Sequence, residues 1–137
     1  TIRRQRQMCI RDRNKDVREI MKKFQKKIIQ KNKRICVEGR DIASNILKKN
    51  PRYDLAFYFT CNLNLASIRR WKDLKKKVPL KEVKKSLSIR TRLDKKRKHS
   101  PLKKMRDAVL IRTDKLNKKK VLLKMSQEIE KINYKTL

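Results

Sequence analysis

The chain has 137 residues, enough for one domain of modest size and too few for two. It carries 44 Lys and Arg against 13 Asp and Glu, a formal net charge of +31, so nonspecific binding of polyanions is expected. A single glycine excludes a phosphate loop of the GxxxxGK[ST] or GxGxxG type within this chain. No apolar run suits a membrane span, and three scattered cysteines predict neither a disulfide framework nor a zinc site, which favours the cytoplasm.

The origin of the positive charge has two explanations that the composition leaves open. The basic residues are spread over the whole length rather than gathered in one tail. One explanation is selection for nucleic-acid binding. The other is codon bias, because Lys, Asn and Ile, all common here, have AT-rich codons.

The first thirteen residues do not resemble native protein sequence. Residues 3–13, RRQRQMCIRDR, resemble the in-frame translation of a common sequencing-library adapter. Such segments are excluded from fold reasoning, so the native sequence is expected to begin at residue 14 and to lack its true N-terminus. The alternative is a basic arm that binds nucleic acid.

Helical and strand-like patterns alternate after residue 13. Three short apolar runs predict buried strands at residues 35–37, 55–59 and 108–111, with Cys36 as a small core residue. A first helix is predicted by apolar residues at helical spacing: Val17, Ile20, Met21, Phe24 and Ile28.

Three further helices are predicted from capping residues and apolar periodicity. Asn62 or Asn64 is expected to begin one helix, Pro79 lies in the first turn of the next, and Asn117 caps the last. Residues 92–100 are too polar to belong to a core. Strands that alternate with helices predict an α/β fold with parallel pairing, and a ligand crevice at the carboxyl ends of the strands.

The tripeptide Gly39-Arg40-Asp41 follows the first predicted strand. Glycine permits close approach to a ligand, the guanidinium of Arg40 suits a phosphate, and Asp41 can accept from an amine or a hydroxyl. The alternative is a surface turn with a local ion pair.

A second cluster consists of Arg90, Asp94 and Arg97. Their i, i+4, i+7 spacing places them on one helical face, where two guanidiniums flank one carboxylate. Asp94 can orient the arginines or bind a sugar hydroxyl. The alternative is a solvated row of ion pairs of little energetic consequence.

Taken in order, these motifs resemble the C-terminal part of bacterial cytidylate kinase, a nucleoside monophosphate kinase. The resemblance covers about residues 14–137 and rests on the ordered set rather than on any single motif. It implies a three-layer P-loop kinase fold, in which helices flank a five-stranded parallel sheet. The matching residues are Val17-Arg18, Val37-Glu38-Gly39-Arg40-Asp41-Ile42, Arg90-x3-Asp94-x2-Arg97-x3-Pro101-Leu102 and Asp107-Ala108-Val109-Leu110-Ile111.

The resemblance implies that the family's enzyme transfers the γ-phosphoryl of ATP to CMP or dCMP with Mg²⁺. Arg18 and Asp41 would read the cytosine, because Asp41 would accept from an exocyclic amine that uracil lacks. Arg40 and Arg97 would hold the CMP phosphate.

The remaining implied roles concern the ribose and the transferred group. Arg90 and Asp94 would hold the ribose. Arg69 and Arg70 match a paired arginine that would neutralise charge on the phosphoryl group during transfer. No metal ligand is predicted within this chain, and a monomer is expected for the complete protein.

The sequence also departs from the family pattern. The residues after Asp41 are Ile42-Ala43-Ser44 where the family has a hydrophobic residue, Gly and Thr, and the lid region is unusually basic at Lys95, Lys96 and Lys98. The family's P-loop and first strand have no counterpart here, so we expect an inactive, marginally stable and aggregation-prone C-terminal fragment with unpaired strand edges. The alternative function is that of a small basic protein that binds RNA or ribosomes, or a truncated paralogue that keeps half of a CMP site for regulation.

Overall fold

The computed structural model describes residues 15–97 and 101–133, without the side chains of residues 15 and 133. The chain divides into two compact units, the first ending at Tyr53 and the second beginning at Asp54. Residues 1–13, interpreted above as adapter sequence, lie outside the described residues, as do Lys98 and His99. The origin of residues 1–13 therefore stays a prediction.

The first unit begins with helix α1, Lys15–Lys31, which confirms the first predicted helix. The negative charge of Asp16 in its first turn and the positive charge of Lys31 in its last turn compensate the partial charges of the helix ends. Lys26 Nζ donates a hydrogen bond to the carbonyl of Asn50 at 2.6 Å and ties the helix to the end of the unit. Periodicity predicts the helix but not its burial, because its apolar stripe stays exposed: Val17, Ile20, Met21, Phe24 and Ile28.

The strand predicted at residues 35–37 is wrong. The structure has no regular element there, and Ile35 and Cys36 are exposed, so Cys36 is not a core residue. A strand needs the backbone N–H and C=O groups of a neighbour, and the described residues supply none beside this segment. The chain instead enters a single π-helical turn, Ile42–Ile46, which ends at the buried pair Ile46 and Leu47.

The second unit contains a two-stranded parallel sheet, in which Phe57 pairs with Val109 and Thr60 with Arg112. This confirms two predicted strands, shifted toward the C-terminus by one or two residues, and the parallel pairing. The small parallel sheet and its connecting helices are consistent with the predicted α/β class. The elements in chain order are β1, Phe57–Thr60; α2, Leu63–Asp73; α3, Leu80–Lys96; β2, Val109–Arg112; and α4, Lys118–Asn133.

Side chains cap two of these helices as the sequence predicts. The side chain of Asn62 accepts from the backbone N–H of Asn64 at 2.8 Å, which identifies Asn62 as the cap of α2. The Oδ1 atom of Asn117 accepts from Lys120 N at 2.8 Å at the start of α4. Pro79 immediately precedes α3.

The core of the second unit is small, and α2 packs against α3 across it. Its buried apolar residues include Val83 on α3, Ala56 before β1 and Ile111 on β2. Two polar residues are buried with them. Ser67 donates to the carbonyl of Leu63 at 2.6 Å, and Asp94 is 1% exposed. The prediction that residues 92–100 stay out of the core is therefore wrong at Asp94.

Candidate functional site

In the first unit, the fold brings Arg18 and Asp41 together. Arg18 lies at the end of the first turn of α1, and Asp41 directly precedes the π-helical turn. Arg18 Nη2 lies 4.0 Å from Asp41 Oδ2, and both side chains are about one-fifth exposed, at 23% and 22%. A carboxylate acceptor and a guanidinium donor thus lie side by side and remain accessible to a ligand.

The position of Asp41 depends on the residues that follow it. Asn45 donates from Nδ2 to Asp41 Oδ2 at 3.3 Å and from its backbone N–H to the Asp41 carbonyl at 2.9 Å. Sequence reasoning missed Asn45. Its position four residues after Asp41 is the signal that could have identified it, since that spacing places the two side chains on one helical face.

Gly39 is needed because another side chain approaches it closely. A Cβ atom at Gly39 would lie 2.5 Å from Ile42 Cγ1, a separation that real contacts do not reach. The residue between Gly39 and Asp41, Arg40, has a half-buried side chain. Close packing of Ile42 against Gly39 therefore shapes the segment that presents Arg40 and Asp41.

In the second unit, Asp94 and Arg97 form an ion pair at the end of α3. Arg97 Nη2 lies 2.5 Å from Asp94 Oδ1, and the side chain of Arg97 is 25% exposed. The Asp94 carbonyl also accepts from Leu102 N at 2.8 Å, which fixes the chain that returns after the helix. Arg90 lies one turn earlier on α3, and its side chain is exposed.

The guanidinium of Arg69 lies at the carboxyl end of the sheet. Its Nη1 donates to Thr113 Oγ1 at 3.0 Å and contacts Cys61 Sγ at 3.6 Å, and its Nη2 donates to the Thr113 carbonyl at 2.8 Å. Thr113 Oγ1 donates in turn to the Thr60 carbonyl at 3.1 Å. Arg69 therefore links α2 to both strand ends, whereas the exposed side chain of Arg70 extends from a different side of the helix.

A further contact joins the two loops at this edge. Asn62 N donates to Asp114 Oδ1 at 2.7 Å, so the residues after β1 and β2 are held together. Sequence reasoning missed both Thr113 and Asp114. Their position directly after a predicted strand is the available signal, because parallel strands end at one edge of a sheet.

Two general properties of the described residues bear on function. Within residues 15–97 and 101–133, no group of three or more His, Cys, Asp or Glu residues is arranged to hold a metal ion. No helix in the same ranges has both the length and the apolar character needed to cross a membrane.

Comparisons with known proteins cover most of the described residues. The family model "Cytidylate kinase" matches residues 5–131. This chain belongs to the cytidylate kinase family. The match includes both clusters, the one around Asp41 and the one around Asp94.

Curated relatives support the same family. The chain is 31% identical over 118 residues to a cytidylate kinase of Rickettsia akari, covering 84% of this chain and 52% of the relative. It is 33% identical over 119 residues to the Clostridium botulinum protein of that name (strain Loch Maree), covering 85% and 53%. It is 35% identical over 109 residues to that of Thermosipho melanesiensis, covering 77% and 48%. The chain thus spans about half the length of these relatives.

Proposed function

We propose that this chain is the CMP-recognising part of an enzyme that transfers the γ-phosphoryl group of ATP to CMP or dCMP. The observation that carries the proposal is the pairing of Arg18 with Asp41 across the first unit. Two separate motifs, each weak alone, supply the two groups, and the family match covers both. A surface ion pair without a function would have no reason to join these two segments. Both segments lie in the region that matches a cytidylate kinase.

The Arg18–Asp41 pair suits the pairing edge of cytosine. Asp41 accepts from the exocyclic amine, and Arg18 donates to the ring nitrogen or carbonyl beside it. Uracil presents a carbonyl oxygen in place of that amine, and an oxygen facing the Asp41 carboxylate is repelled. A matched donor–acceptor pair of this kind is worth roughly 1–3 kcal/mol of discrimination between bases.

The ribose and phosphate are assigned to the remaining arginines and to Asp94. Arg40 and Arg97 hold the CMP phosphate, since a guanidinium binds phosphate oxygens through two parallel N–H donors. Arg90 and Asp94 are assigned to the ribose; Asp94 is 1% exposed, so it reaches a sugar hydroxyl only when its pair with Arg97 opens. Support for the Arg97 assignment comes from the buried carboxylate beside it, which restricts the orientation of a partly exposed guanidinium.

The paired arginines of α2 are assigned to the transferred group. Arg69 and Arg70 neutralise the charge that develops on the phosphoryl oxygens during transfer. The three contacts of Arg69 support a fixed position for this side chain, and the exposed position of Arg70 supports its access to a ligand.

The residues of this chain do not fit ATP and Mg²⁺. The single glycine of the sequence leaves no phosphate loop, and the described carboxylates form no metal cluster. We therefore propose that residues 14–137 are the C-terminal part of a P-loop kinase domain, that residues 1–13 are not native, and that the chain alone does not catalyse transfer. The complete protein is proposed to act as a monomer in the cytoplasm.

Nucleotide binding by the chain tests the recognition role directly. Isothermal titration with CMP and with UMP is expected to give at least about fivefold tighter binding of CMP, as the discrimination above requires. Asp41→Ala is expected to remove the preference, and Asp73→Ala, which changes an exposed carboxylate on α2, is expected to retain it. Equal affinity of the parent chain for CMP and UMP would overturn the proposal.

The fragment part of the proposal is tested by the genomic DNA upstream of the Asn14 codon. An in-frame GxxxxGK[ST] motif about a hundred residues upstream is expected for a protein twice this length. The extended protein is then expected to produce CDP from ATP and CMP, and the present chain is expected to produce none. A natural start codon near Asn14 with no phosphate loop before it would contradict the kinase assignment and favour the basic RNA-binding alternative.

A further inference from the structure

Helix α3 has two faces of opposite character. Its inner face carries Val83, which is 5% exposed, and Asp94, which is 1% exposed. Its outer face carries six cationic side chains, all exposed, which we call the basic stripe: Lys81, Lys84, Lys85, Arg92, Lys95 and Lys96.

The basic stripe is uninterrupted by negative charge. With 3.6 residues per turn, its six members lie within about 120° of one another around the helix axis. Ser88 is the other residue in this sector. The two carboxylates of α3 lie outside it, since Glu82 is about 100° from Lys81 and Asp94 is on the inner face.

Helix α4, in the same unit, provides a comparison for the charge pattern of α3. Its lysines are interspersed with Glu128 and Glu130, and Lys131 Nζ lies 2.6 Å from Glu128 Oε1. That ion pair neutralises one of the five lysines within the helix. On α3 only Lys85 of the stripe lies at i, i+3 or i, i+4 spacing from a carboxylate, that of Glu82, so the other five cations repel one another unless an external anion covers them.

The stripe has a width and a length that suit two rows of anions. Lys84 and Lys95 lie along one margin of the sector, and Lys85 and Lys96 along the other. From first to last residue the stripe is about 22 Å long, at 1.5 Å per residue. A helix with side chains is about 10–12 Å across, and the major groove of B-DNA is about 12 Å wide with a phosphate row on each side.

We propose that helix α3 binds duplex DNA by entering the major groove, where the two margins of the basic stripe contact the phosphates of opposite strands. The four margin lysines contribute no sequence preference, because contacts to phosphates read no base edges. Single-stranded nucleic acid fits less well, since the sector offers no aromatic ring on which a base could stack. The deep, narrow major groove of an RNA duplex does not admit the helix.

This surface is independent of the proposed kinase function. The CMP assignments on α3 fall on Arg90 and Asp94, about 180° and 220° around the axis from Lys81, and so outside the stripe. Substitutions in the stripe therefore leave the proposed nucleotide contacts in place.

The salt dependence of binding tests the proposal. Affinity of the full chain for a fluorescent 20-base-pair duplex is measured by anisotropy at several KCl concentrations. Each phosphate contact contributes about 0.9 to the slope of log K against log[salt]. The stripe variant, Lys84→Gln with Lys85→Gln, Lys95→Gln and Lys96→Gln, removes all four margin lysines. It is expected to lose about 3.6 of the parent slope and to bind at least tenfold more weakly at 0.1 M KCl.

A charge-matched variant separates the stripe from the general charge of the chain. The variant Lys118→Gln with Lys119→Gln, Lys120→Gln and Lys124→Gln removes four exposed lysines from α4. This variant is expected to change the slope by less than about 1. Equal losses in the two variants would overturn the proposal, because they would reduce DNA binding to overall charge.

Two further measurements keep the test decisive. If the stripe variant with four substitutions fails to fold, as judged by circular dichroism at 222 nm, the double variant Lys84→Gln with Lys95→Gln is measured instead. It neutralises one margin and is expected to lower the slope by about 2. The parent is also compared on duplex DNA, single-stranded DNA and duplex RNA of the same number of phosphates. Binding of either competitor as tight as that of duplex DNA would overturn the assignment to the major groove.

Discussion

The buried carboxylate of Asp94 lies 2.5 Å from the guanidinium of Arg97, the residue at which helix α3 ends. The carboxylate is almost inaccessible, and the guanidinium is one-quarter exposed. The pair therefore orients a cation that still reaches solvent, while the Asp94 carbonyl holds the returning chain through Leu102. Asp94 therefore stabilises the end of helix α3 through its carbonyl. Through its carboxylate it orients Arg97, a proposed phosphate ligand.

Removing this carboxylate is expected to destabilise the second unit. Asp94→Ala leaves a small cavity and frees Arg97, which can regain hydration because it is partly exposed, so we expect a loss of about 2 kcal/mol rather than the larger cost of a fully buried pair. Trp71, the single tryptophan, lies in this unit and reports its unfolding in urea by fluorescence. Asp73→Ala should leave the midpoint nearly unchanged, and an equal midpoint for Asp94→Ala would contradict a stabilising role.

The end of helix α2 predicts a stabilising substitution. Lys75 N donates to the Lys72 carbonyl and Lys76 N to the Trp71 carbonyl, the two bonds of a Schellman motif. Lys75 has φ 51°, a conformation that favours glycine. Lys75→Gly is therefore expected to stabilise the unit by about 0.5–1 kcal/mol, and Lys72→Gly, inside the helix, to destabilise it by a similar amount.

Lys76 is kept in that experiment for a specific reason. Its ammonium lies 5.2 Å from the centre of the Trp71 ring, where Schellman motifs usually have an apolar contact. A lower urea midpoint for Lys75→Gly than for the parent would contradict this prediction. It would show that the left-handed conformation of Lys75 costs no free energy.

The contact between Arg69 and Thr113 is expected to stabilise the carboxyl end of the sheet. Thr113→Val keeps the side-chain shape but removes the hydroxyl that bonds to Arg69 and to the Thr60 carbonyl. We expect a loss of about 1–2 kcal/mol in urea unfolding. A double-mutant cycle with Arg69→Gln should give a coupling energy of at least about 0.5 kcal/mol.

Arg70 provides the control for that cycle. Arg70→Gln changes the neighbouring exposed arginine of α2, and its coupling to Thr113→Val should be close to zero, because the two side chains extend from different sides of the helix. Equal coupling for Arg69 and Arg70 would mean that charge, rather than the hydrogen bonds to Thr113, stabilises this edge.

Two substitutions of Asn117, the cap of α4, are expected to affect stability differently. Asn117→Ala removes the hydrogen bond to Lys120 N and is expected to cost about 1 kcal/mol. Asn117→Asp retains an acceptor and adds a negative charge beside the helix N-terminus and its three lysines, so stability should be unchanged or slightly higher. The two variants are compared by ellipticity at 222 nm during thermal unfolding. A lower transition temperature for Asp than for Ala at position 117 would contradict the capping role.

Local patterns predicted the helices and two of the three strands. The apolar stripe of α1, the caps Asn62 and Asn117, and the runs near residues 57–60 and 109–112 all depend on neighbours in sequence. The predicted strand at residues 35–37 failed because a strand is a property of a pair of segments, and β-branched composition cannot supply the partner.

The candidate site was predictable as residue types rather than as contacts. The motifs singled out Asp41, Asp94 and Arg97, the family resemblance added Arg18, and the roles assigned to them stay predictions. Sequence reasoning could not find the bonds from Asn45 to Asp41 or from Arg69 to Thr113, because a hydrogen bond depends on distances between atoms that no pattern of residue types encodes.

By itself, then, the sequence determined the family, the order of helices with two parallel strands, and the cationic character of the chain, because each follows from motif order, periodicity or composition. Only the tertiary structure decided that Asp94 is buried while Phe24 is exposed. Burial depends on which segments pack together, which neither periodicity nor residue type decides, and a carboxylate with a guanidinium partner can be buried.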